Sequence, residues 1–139
     1  MSRPIRVFFS FMLALMLSSQ AMAAEGGGEA KPSATYVDLK PSFVTNVGEP
    51  SQRMSYLKVD VTLRVASSEI AKQVEQQQPA IRNALVFLFS DAKMDEVTTP
   101  KGQEALRSEA LKAVNEVMKK EEGKPLVENV LFTTFVVQR

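Results

Sequence analysis

The last stretch of the chain, Val127-Glu128-Asn129-Val130-Leu131-Phe132-Thr133-Thr134-Phe135-Val136-Val137-Gln138-Arg139, decides how the rest must fold. From residue 130 to 137 almost every position is β-branched or aromatic, the composition of a strand. Bulk falls on both parities: Val130, Phe132, Thr134 and Val136 on one, Leu131, Thr133, Phe135 and Val137 on the other. A regular strand with bulk on both faces needs cover on both. The composition therefore predicts an interior strand of a sheet packed by helices. Only Gln138 and Arg139 follow, so C-terminal truncation is expected to be poorly tolerated.

Working outward, Gly123 and Pro125 stop a helix just before this strand, and Thr99 as N-cap with Pro100 in the first turn starts it. Its period places Leu106, Ala110, Ala113, Val114 and Val117 inward and Glu104, Arg107, Glu109 and Lys112 outward. Gly102, in the first turn, marks a point of close packing. Residues 91–97 are expected to form a polar connection. Before it, Ile81, Leu85 and Leu88 recur at helical spacing, so residues 85–89 continue a helix rather than form a strand. Pro79 either opens that helix or kinks a longer one that Ser67 or Ser68 caps. Ile70, Ala71 and Val74 are the inward side of the earlier turn.

The cleanest alternation lies upstream of the helices. Leu57, Val59, Val61, Leu63 and Val65 fall on one face, and Lys58, Asp60, Thr62 and Arg64 on the other. That is a strand with one wet face. Residues 36–39 and 43–47 are extended segments of an edge strand broken at Pro41, which cannot donate to a central ladder. This order of elements predicts an α+β fold: a small, mostly antiparallel sheet packed by two or three helices.

The beginning of the chain reads differently. Arg3 and Arg6 precede an apolar run at residues 7–17, and Ala21-Met22-Ala23 is a small-x-small cleavage site. As a helix the run spans roughly 16 Å, against about 30 Å for a bilayer core. Residues 1–23 are thus expected to be a signal peptide, or a short membrane anchor if retained. Residues 24–35, with Gly26-Gly27-Gly28, read as a flexible tether, and residues 36–139 as the folded domain. Removing the signal takes two of 17 basic residues, leaving 15 against 16 acidic ones and a charge near −1.

Composition narrows the chemistry. With no cysteine and no histidine among 139 residues, disulfides, thiolate nucleophiles, Cys-ligated zinc and imidazole bases are excluded. A formal charge of +1 with no basic stripe gives no electrostatic footprint for nucleic acid. The acidic cluster Asp91, Asp95 and Glu96 has no calcium-loop spacing and reads as a solvated loop. Ser67 and Ser68 have no base partner and read as caps. The triple glycine does not follow a strand, so it cradles no phosphate. Phe87, Phe89, Phe132 and Phe135 read as core. No catalytic, cofactor-binding or metal-binding residue emerges, and no enzyme is expected.

Four stretches taken together resemble the periplasmic domain of the flagellar basal-body-associated FliL family. They are Tyr36-Val37-Asp38-Leu39 with Phe43-Val44-Thr45-Asn46, then Tyr56-Leu57-Lys58-Val59-Asp60-Val61. The third pairs Pro79-Ala80-Ile81-Arg82-Asn83-Ala84 with Thr99-Pro100-Lys101-Gly102 and Leu106-Arg107. The last is the ending from Val130 to Gln138. The resemblance implies a domain similar to the stomatin/prohibitin (SPFH) fold and assembly as a homo-oligomeric ring around the flagellar stator. It also implies a non-enzymatic role supporting torque in swimming or swarming motility, at the inner-membrane basal body. Family members usually carry an uncleaved transmembrane helix, where this chain has a short, cleavable-looking segment. Cleavage would leave the domain soluble in the periplasm, and retention would anchor it. The ring reading selects Arg82, Arg107, Glu109 and Lys112 as the interaction surface, together with exposed sheet edges at residues 43–47. No cofactor, nucleic acid or small-molecule substrate is implied. The alternative is a soluble periplasmic adaptor or chaperone-like module of another envelope complex.

Overall fold

The computed structural model of the chain describes residues 34–50 and 53–139. The expected signal segment and most of the tether lie outside the described residues. In chain order the elements are β1 (Thr35–Val47), β2 (Ser55–Val65), α1 (Ser68–Gln76), α2 (Gln78–Ser90), α3 (Met94–Thr98), α4 (Pro100–Glu122) and β3 (Val127–Gln138). The three strands form one antiparallel sheet in the order β1-β2-β3. This is the α+β architecture anticipated from the element order. Leu57, Val59, Val61, Leu63 and Val65 of β2 are buried against the helices. On the other face Lys58 and Arg64 are exposed and Asp60 is half-buried, as the alternation in β2 predicts, whereas Thr62, expected to be wet, is buried beside its hydrogen-bond partner Asp38.

The final strand corrects an expectation. It is β2 that occupies the centre, and β3 is an edge strand. Two register shifts in the β2–β3 ladder leave Glu128 and Thr133 as extra residues. Each extra residue reverses the parity of the strand. Opposite Val65, Leu63, Val61, Val59 and Leu57 stand Val127, Val130, Phe132, Phe135 and Val137, so one face collects apolar residues from both parities. The bulk on odd and even positions therefore reflects two bulges, and one covered face suffices. β1 has its own irregularity between Leu39 and Phe43, at a cis Lys40–Pro41 bond, as expected of an edge strand interrupted by proline.

The helices start and stop where their local chemistry dictates. Ser67 Oγ accepts the Ile70 amide at 3.3 Å and Thr99 Oγ1 the Gly102 amide at 3.1 Å, each supplying an acceptor that the first turn lacks. Gly123 ends α4 at φ 81°, a left-handed position suited to glycine. Gln77 separates α1 from α2, and Pro79 lies in the first turn of α2. Residues 85–89 are helical, with Leu85 and Phe89 fully buried, but Phe87, expected in the core, falls on the outer side of the helix and is 64% exposed.

Two further expectations change. Residues 94–98, expected within and just beyond a polar connection, form the short helix α3 and bury Val97. There the Lys93 amide donates to Glu96 Oε2 at 2.7 Å. In α4 the buried row is Leu106, Ala110, Val114 and Met118, whereas Ala113 and Val117 are half-buried on its flank. A single sheet beneath the helix selects one narrow stripe, and Met118 fills its last turn. Gly102 does mark close packing: a Cβ there would lie 2.5 Å from the Asp95 carbonyl oxygen and from Glu96 Cα. Phe89 then ties the layers together, 5.4 Å from Phe43 and 5.8 Å from Phe132 between ring centroids, in edge-to-face geometry.

Candidate interaction surface at the sheet edges

An edge strand presents unpaired amides and carbonyls, which a folded protein must block or use. In an antiparallel ladder only alternate residues of an edge strand turn these groups outward. Here two helices reach over part of each edge. On β1, Arg82 of α2 donates from Nη1 to the Pro41 carbonyl at 2.7 Å, and Gln78 Nε2 lies 3.5 Å from the Asp38 carbonyl. The Arg82 guanidinium also stacks 4.2 Å above the Phe43 ring.

On β3 the arrangement is more complete. Asn115 of α4 accepts the Val127 amide at 3.0 Å and donates to the Val127 carbonyl at 2.9 Å. One side-chain amide thus replaces a neighbouring strand. Arg107 Nη1 donates to Asn129 Oδ1 and lies 3.4 Å from the Val130 carbonyl. Its remaining donors hold Glu104. That contact keeps the Glu104 carboxyl below the usual carboxylate range and raises the Arg107 guanidinium.

Both sets of contacts fall on the half of the sheet that pairs with residues 60–65 of β2. In the other half, among the described residues, no helix side chain bonds to the outward backbone groups. The alternation assigns these to Val44 and Asn46 on β1, and to Phe132, Phe135 and Val137 on β3. The open face of the sheet changes character along the same direction. Arg64 and Glu128 form an exposed ion pair at 3.6 Å. In the middle, Thr62 donates to Asp38 at 2.6 Å, and Ser42 and Thr134 bond the Asp60 carboxylate. These two hydroxyls hold Asp60 below its ordinary value. Beyond them Lys58 stands between Val44, 66% exposed, and Val136, 47% exposed, with Tyr56 also exposed beside it. Among the described residues, one end of the sheet therefore combines two open edges with exposed apolar side chains.

The four residues expected at an interaction surface divide in two. Arg82 and Arg107 are half-buried and spend their guanidinium groups on β1 and β3. Glu109 and Lys112 are exposed on α4. The sequence reading passed over Asn115, although asparagine in a helix interior is a poor helix former that calls for a reason. It also passed over Val86, which follows Arg82 by one turn of α2 and is 44% exposed. Among the described residues no group of three or more acidic side chains could hold a metal ion. A concavity of about 420 Å³ at the open end is lined by Val47, Gly48, Ser55 and Met94, with Glu49, Arg53 and Arg139 at its polar side.

The profile of the family described as "Flagellar basal body-associated protein FliL" matches residues 36–138, which is the whole of the sheet-and-helix unit. The chain belongs to the FliL family. It is also similar to the "Flagellar protein FliL" of Aquifex aeolicus (strain VF5), at 36% identity over 100 residues. That match covers 72% of this chain and 59% of the relative, so the chain spans well under two thirds of the relative's length. A flagellar basal-body-associated protein is thus the coarse assignment. As a family member it is built on a sheet whose edges are half guarded. No helix among the described residues is long and apolar enough to cross a membrane.

Proposed function

We propose that the chain works on the periplasmic side of the flagellar basal body, associating with the stator as a homo-oligomeric ring and supporting torque for swimming or swarming. The family match across residues 36–138 carries this reading. Its mechanism is associative and involves no bond chemistry: weak contacts repeated around a ring act together and bind more tightly than any one alone. Glu109 and Lys112, exposed on α4, are the polar side chains offered to the stator. Arg107 holds α4, the helix that presents them, against β3, and Arg82 holds α2 against β1.

Site-specific photocrosslinking in motile cells tests the proposal, with probes at Glu109 and Lys112. Products containing a stator subunit are expected, and charge reversal of both residues is expected to reduce them together with swimming speed under load. Products containing only unrelated envelope proteins would favour an adaptor of another complex and sink the stator reading.

A further inference from the structure

We propose that the two open edge halves are the two sides of one interface: residues 132–138 of β3 in one copy add to residues 43–47 of β1 in a second copy, continuing the sheet. This deepens the self-association part of the reading above and rests on it. Neither stretch contains a charged residue, although an inward or edge lysine is the ordinary means of blocking such an edge. The guards stop in the middle of the sheet on both sides. Arg82 ends at Pro41, between the rows of Val61 and Val59, and Arg107 at Val130, opposite Leu63, so guarding ends earlier on β3 and both free stretches run to the same end of the sheet.

Cover favours a second copy as the occupant. Phe132, Phe135 and Val137 lie on the helix side of β3 yet are only partly buried, because α4 reaches the first half of the strand. Val86 lies on the stripe of α2 that carries Arg82 and Ser90 along the edge of β1. Arg82 contacts Pro41 there, and Ser90 Oγ lies 2.8 Å from Thr45 Oγ1. Between those two contacts Val86 is exposed. A β3 strand laid beside β1 would bring its partly covered Phe135 and Val137 beneath Val86. On the other face, Val136 of the added strand would meet Val44. Each side thus supplies the apolar surface that the other lacks.

Direction and symmetry follow from the ladder. β1 and β3 are both antiparallel to β2, so they run the same way. Lateral repetition of the sheet makes a parallel, head-to-tail pair. Such a contact is heterologous and generates a closed ring or an open filament rather than a twofold dimer.

The absence of cysteine from the chain makes disulfide trapping a clean test. Within one copy Val44 and Val136 flank Lys58 on opposite sides, about 10 Å apart at two strand spacings, too far for an internal disulfide. Under mild oxidation the full-length V44C/V136C double variant should form a ladder of linked oligomers, and each single variant should stay monomeric. Dimers from V136C alone or V44C alone would mean strand pairing of like edges and overturn the proposal. Amine-reactive crosslinking of the unmodified chain is read on the same gel. Oligomers there without a disulfide ladder overturn the edge pairing and leave self-association standing, and no oligomers in either lane overturn both. If the reduced double variant does not melt like the unmodified chain, N46C/Q138C replaces it with the same expected ladder. Val136→Lys in the otherwise unmodified chain should shorten the amine-crosslinked ladder several-fold, and an unchanged ladder would also overturn the pairing.

Discussion

On the half of the sheet around Arg64, side chains from α2 and α4 close the edges of both outer strands. On the half around Tyr56, among the described residues, no helix side chain reaches the outward backbone groups. The difference does not lie in the central strand, since Leu57 and Val59 on the open half are as fully buried as Leu63 and Val65 on the closed half. It lies in where polar helix side chains are long enough and correctly phased to reach the outward backbone. Arg82 and Gln78 face β1, and Asn115 and Arg107 face β3. One turn beyond Arg82 the same stripe carries Val86, which has nothing to donate. A central strand can therefore be equally buried along its length while the sheet offers an interface at one end only.

The largest expected effect is from Phe89→Ala, which removes the ring joining Phe43 and Phe132. A loss of about 3–5 kcal/mol is expected, read from the urea midpoint. A loss below about 1 kcal/mol would show the open half to be loosely packed after all.

Next is Asn115→Ala, which strips both partners from the backbone of the buried Val127. A cost of about 1–3 kcal/mol is expected. At concentrations where the unmodified protein is monomeric, hydrogen exchange should separate the two halves, with the Val127 amide protected and the outward Val137 amide exchanging fast. Similar rates at both would erase the distinction between guarded and open edges.

Arg82→Met removes one hydrogen bond and the stacking on Phe43, at about 1 kcal/mol. The more telling readout is association, which should rise at constant stability correction because more of β1 is uncovered. Size-exclusion profiles at several concentrations would show it, and a profile identical to that of the unmodified chain would count against the guarding role.

Acid acts on the row that separates the halves. Asp60 has a folded pKa below its ordinary value of 3.8, because the Ser42 and Thr134 hydroxyls bond its ionised form. Its contribution is therefore present above that ordinary value and is lost as pH falls through the lower folded one. Asp60→Asn should flatten the melting-temperature profile below pH 4 relative to the unmodified protein. Profiles that stay parallel would remove Asp60 from the acid response.

The smallest effect is expected at the open end. Val44→Lys and Val136→Lys replace exposed side chains and should leave stability within about 0.5 kcal/mol while reducing association. Thermal melts and crosslinking on the same samples separate the two.

The sequence by itself determined the existence and type of most elements, because these depend on local physics. Alternation in residues 57–65 made β2 legible, Thr99-Pro100 and Gly123 bounded α4, and the continued period from Ile81 kept residues 85–89 helical. Family membership was also readable, from the order of four short stretches. What only the tertiary structure decided was which strand lies in the middle, and what the arginines do. Parity in β3 could not be followed through two bulges, because a bulge is fixed by the register of the partner strand and leaves no strict composition behind. Arg82 and Arg107 looked like outward charges, since a helical period distinguishes core from surface but not surface from edge. Whether a cation faces water or a neighbouring backbone carbonyl depends on how the helix lies across the sheet, and that geometry is set by packing between residues far apart in the chain.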